Sequence, residues 1–214
     1  AERLFLEQQF PRGRNEARLT RAQAMCDIGA FADARESLQI FRESPPDGVG
    51  QRLRLRSILL QINDATDKAA AGDSASRAPI SQGGPEAILL KLFESIALHD
   101  AGQSAQANRL FVDAQDVLAR RAAVPLRLLA TEVALVVGND RAVADYRTAR
   151  ATLARLPSWG RAFRLHAAAA RVDGDAARAA RQAWMELRAR TPAEHHAALD
   201  AQARALGIDT EDRP

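Results

Sequence analysis

Cysteine is nearly absent from this 214-residue chain: Cys26 is the only one, so no internal disulfide can form. Aromatic residues are sparse at 5%, which leaves the core to Leu, Ile, Val and Ala. Lysine occurs only at Lys68 and Lys91, so arginine carries nearly all the positive charge. Acidic residues are interleaved with it and the net charge is only +3, so no basic stripe for nucleic acid stands out. No apolar run nears the roughly 20 residues that cross a bilayer, and membrane insertion is not expected. GxSxG, a phosphate-cradling glycine loop, a CxxC pair and HExxH are all missing. His195 and His196 are adjacent, about 100° apart on a helix, whereas paired helical metal ligands sit at i, i+4. On these grounds no enzyme, cofactor or metal is expected.

What the chain has is alanine, leucine and arginine in quantity, with few β-branched runs. These are helix formers, and they point to an all-α protein. The Ala/Arg bias with little Lys is typical of GC-rich bacterial genomes, and a single thiol suits either the cytoplasm or the periplasm. Helices are expected at 2–9, 15–28, 31–43, 50–63, 65–72, 86–101, 104–121, 124–137, 140–155, 159–172, 175–190 and 193–206. A Ser/Gly/Pro-rich loop is expected at 71–86, and "TEDRP" should fray. Leu4, Phe5 and Phe10 form an apolar cluster for packing, Cys26 shares a helical stripe with Met25 as a buried thiol, and Trp159 and Trp184 suit core packing.

A glycine recurs between helical stretches. "DIGAFADA", "DAGQSAQA" and "VDGDAARA" each place an alanine five after Gly29, Gly102 and Gly174, and "VVGNDRAV" places Val143 five after Gly138. The steps from 102 to 138 and from 138 to 174 are both 36 residues. Glycine takes positive φ at a helix end, and a small residue soon after it lets two helices approach. Each unit therefore reads as a helix, a tight turn and a second helix, and such hairpins bury their apolar faces by stacking.

This pattern resembles the tetratricopeptide repeat (TPR) family. In "RAQAMCDIGAFADARESLQIFRESPPD", Ala22 fits the small residue of the first helix. Phe31 fits the aromatic after the turn, Ala34 the small residue of the second helix, and Pro46 the closing proline. The last unit matches through Ala167, Gly174, Ala179 and Pro192. The first-helix tryptophan is replaced by Arg18, Lys91, Arg127 and Phe163. The resemblance implies a right-handed α-solenoid over 1–214 as a single domain. Its repeats would fall near 15–46, 50–85 (degenerate, with a loop), 86–122, 124–157 and 159–192, capped by a helix at 193–206.

It also implies a concave groove lined by first helices. Ten, six and three residues before each turn glycine, that lining would include Leu19, Leu92, Leu128 and Arg164, then Gln23, Ile96 and Glu132, then His99, Leu135 and Arg171. Leucine at the earliest position departs from the Lys/Asn carboxylate clamp of some family members and favours an apolar helix or extended peptide. Arg161, Arg164 and Arg171 lie 3 and 7 apart, a shared helix face that fits either a basic patch for an acidic segment or a solvated surface. The expected function is a noncatalytic protein–protein scaffold or adaptor in a bacterial assembly. The alternative is a regulatory or sensory ligand-binding segment of a larger protein, which the opening Ala1, in place of Met, fits.

Overall fold

The computed structural model describes residues 11–46, 48–62, 84–121, 123–155 and 158–210. Among them every regular element is a helix, and the all-α expectation holds. In chain order these are α1 (Pro11–Asp27), α2 (Phe31–Leu38), α3 (Ile40–Glu43), α4 (Val49–Ile62), α5 (Gly84–Asp100) and α6 (Ser104–Arg121). There follow α7 (Val124–Val137), α8 (Ala142–Leu153), α9 (Trp159–Ala169), α10 (Gly174–Arg190), a 3-10 turn (Ala193–His195) and α11 (His196–Ala205). The expected helices 2–9 and 65–72, the cluster of Leu4, Phe5 and Phe10, and residues 71–83 of the expected loop lie outside the described residues. The loop's last three residues, 84–86, instead form the first turn of α5.

Gly29, Gly102 and Gly138 do end helices with positive φ, at 76°, 77° and 74°. The left-handed residue turns the chain back so that the last carbonyls find partners. After α1, the Gly29 and Ala30 amides donate to Cys26 and Met25 (3.1 and 2.9 Å). After α5, Gly102 and Gln103 donate to His99 and Leu98 (both 2.9 Å). Both are Schellman closures, a geometry that glycine adopts at least cost.

Gly174 departs from this expectation: it lies inside α10 as the first helical residue and has no positive φ. The reason is a competing cap. The Asp173 carboxylate accepts from the Asp175 amide at 3.0 Å, which starts the helix before the glycine can turn the chain. The following register moves with it. Ala179 is half-buried, while Ala176 and Ala180 are fully buried. Val143 is likewise half-buried, and Ala142 and Tyr146 point inward in its place. Ala34 and Ala107 are fully buried, as the five-residue rule expects.

The described helices belong to two compact units, residues 1–120 and 121–214. In the first unit, α1 packs on α2 and α4, α2 on α4, and α4 on α5. Leu19, Ala22 and Cys26 on α1, Ala34 and Leu38 on α2, Phe41 on α3, and Ile58 and Ile62 on α4 form one core. Their spacings of three and four place each set on one face, and burying a leucine or isoleucine there contributes about 2 kcal/mol. In the second unit α7 packs on α8 and α9, α8 on α9, α9 on α10, and α10 on α11. Tyr146, Phe163, Leu165 and Leu199 are fully buried there.

Candidate functional site

The helices that precede the turns carry the residues of interest, and their burial divides them. Leu19 and Leu92 are fully buried and Leu128 is 3% exposed, so the position ten before each glycine serves the protein's own interior and offers no surface. Gln23, Ile96, His99 and Leu135 are half-buried along α1, α5 and α7. Arg171 lies beyond the end of α9, exposed in the turn. The expected face shared by Arg161, Arg164 and Arg171 therefore stops at Arg164, because α9 ends at Ala169.

Arg161 and Arg164 converge on a third candidate, Glu132 of α7. Arg161 donates from Nη1 to Oε2 at 2.7 Å, and Arg164 from Nε to Oε1 at 2.9 Å. The carboxylate is 4% exposed. Burial works to raise its pKa, but the charges of Arg164 and Arg161 and their hydrogen bonds outweigh it and hold the group below the usual carboxylate range. The three residues form an ion triad that clamps α7 to α9, with two guanidinium groups on one carboxylate.

Other polar pairs join α1, α4 and α5 in the first unit. Arg54 of α4 pairs with Glu16 of α1 and donates to Thr20 at 3.1 Å. Gln23 and Gln61 exchange amide hydrogen bonds at 3.1 and 3.2 Å. Arg56 of α4 lies 3.2 Å from Glu94 of α5. The Glu16–Arg54 and Gln23–Gln61 partners are both 38 residues apart. Gln23 is thus committed in part to a neighbouring helix.

A second buried polar pair sits between α8 and α9, where Tyr146 Oη is 2.8 Å from His166 Nδ1 and the rings meet edge to face. Burial, reinforced by the charge of Arg150, lowers the His166 pKa to about 4. The ring is therefore neutral at pH 7, and the phenol can donate to Nδ1. This pair is closed off from solvent and acts as a core link. Cys26 is buried in the first core, as expected. Trp184 is also buried, and Trp159 is half-buried with the Arg190 guanidinium 4.9 Å from its ring centre. His196 Nε2 lies 2.9 Å from the Thr191 carbonyl.

The triad was not legible from spacing, because its members are 29 and 32 residues apart and meet only once α9 packs on α7. The one available signal was a lone Glu132 in an apolar stretch, "LLATEVALVV", which calls for a cationic partner. Comparisons with protein-family models, with curated proteins and with solved structures give no match.

Proposed function

We propose that this chain is a TPR-like, right-handed α-solenoid that works as a noncatalytic interaction module. It would be a scaffold or adaptor in a bacterial multiprotein assembly, taking a peptide or helix of a protein partner along its first helices. The observation that carries the reading is the lateral packing of those helices. α1 lies on α4 and α4 on α5 in one unit, and α7 lies on α9 in the other, with polar residues joining neighbours. Helices held in this way are preorganised, so a partner segment would bind without the cost of ordering them. Ile96 in the first unit and Leu135 in the second are each half-buried and offer apolar contact to a segment seated on the helices of their own unit. Arg161 and Arg164, each with limited exposure, act first as intramolecular clamps.

A peptide-display selection against the immobilised chain, followed by calorimetry, tests this. A selected peptide should lose about tenfold in affinity, roughly 1.4 kcal/mol, with Ile96→Ala if it occupies the first unit or Leu135→Ala if it occupies the second. Enrichment of no peptide, or peptides indifferent to both changes, would count against the reading.

A further inference from the structure

Glu94 sits in the middle of α5 and is 3% exposed. Neither carboxylate oxygen has a hydrogen-bond donor among the described residues. Arg56 of α4 approaches Oε1 to 3.2 Å, close enough for attraction but outside hydrogen-bond geometry. Glu132 is buried equally deeply, yet it accepts a charged hydrogen bond on each oxygen. A buried ionised carboxylate without such bonds is costly, and one cation in poor alignment offsets only part of that cost.

The other charges around this interface are placed elsewhere. Lys91 stands one turn earlier on α5 and helps the ionised form through space. Glu86 lies against Gly50 at the start of α4, and Arg54 faces α1 through Glu16. We propose that Glu94, buried beside Arg56 where α5 packs on α4, is a proton-operated joint: the packing of the two helices is tight when Glu94 is neutral and loosened when it ionises, because the cost of burying the charge exceeds what Arg56 returns. Burial dominates over Arg56 and Lys91 and raises the Glu94 pKa from 4.5 to about 7, which puts the switch in the neutral range. The sign follows from linkage. A carboxyl that binds its proton more tightly when folded favours the native state below its unfolded value, and that advantage is lost as pH rises through 4.5 to about 7. Ionisation thus loosens the packing of two neighbouring first helices in the neutral range.

Hydrogen exchange of peptides covering α4 and α5, corrected for intrinsic rates, reads local opening directly. Wild-type protection should fall about tenfold between about pH 6 and about pH 8, and Glu94→Gln should hold its protection across that range. Loss of protection to the same extent in both proteins would overturn the joint, as would a Glu94→Gln chain less protected than wild type at the higher pH. A carboxyl-carbon NMR titration of the wild-type protein needs no variant. A Glu94 midpoint in the neutral range supports the proposal, and a midpoint at the ordinary carboxylate value sinks it.

Discussion

Glu94 and Glu132 are both buried carboxylates that face arginine, and their surroundings drive them in opposite directions. The difference is alignment: two charged hydrogen bonds hold Glu132 ionised, and Glu94 has none among the described residues. Removing Glu132 leaves two arginines facing each other without their counter-ion. Glu132→Ala should cost about 3 kcal/mol in urea unfolding, while Arg171→Ala in its exposed turn should change stability by less than about 0.5 kcal/mol. His166 gives a pH dependence of known sign. Its pKa is depressed on folding from 6.5 to about 4, so its stabilisation is complete above 6.5 and is lost as pH falls toward 4. Replacing His166 with Gln should flatten thermal stability across that window, and calorimetric melts at several pH values would check it. None of these residue states was legible in the sequence, because each depends on a partner from another helix.

At the scale of elements the sequence was more informative. α6 and α7 occupy the expected 104–121 and 124–137, since strong apolar periodicity and a turn or cap bounded them. In the last pair of helices only the role of Gly174 differs from expectation, because a glycine marks a turn only where no better cap competes, and Asp173 is the better cap. This gives a paired prediction. An alanine at Gly138 must adopt φ near 74° and should cost about 1 kcal/mol, whereas Gly174→Ala, inside α10 with open space around it, should be neutral or stabilising. Thermal denaturation of both variants decides it. Similarly, Ala34→Leu forces a branched side chain into a filled core and should cost about 1–3 kcal/mol. Ala179→Leu, at a half-buried site, should be close to neutral.

For the whole molecule, the all-helical class was readable from composition, and the helix ends at Gly29, Gly102 and Gly138 from the recurring glycines. The polar pairs between α1 and α4 were not readable, because two residues 38 apart acquire meaning only when their helices touch. Nor was the interior role of Leu19, Leu92 and Leu128: an apolar side chain at a given register suits a groove and a core equally until packing decides. The proposed function rests on the first-helix face as the partner's seat. The most direct measurement places a photo-crosslinking residue in turn at Ile96 and Leu135 on α5 and α7, and at Val112 and Arg147 on α6 and α8, in the presence of a selected peptide. Adducts at 96 or at 135, according to the unit the peptide occupies, with none at 112 and 147, are the predicted result. Adducts mainly at 112 and 147 would contradict the account and place recognition on the second helices.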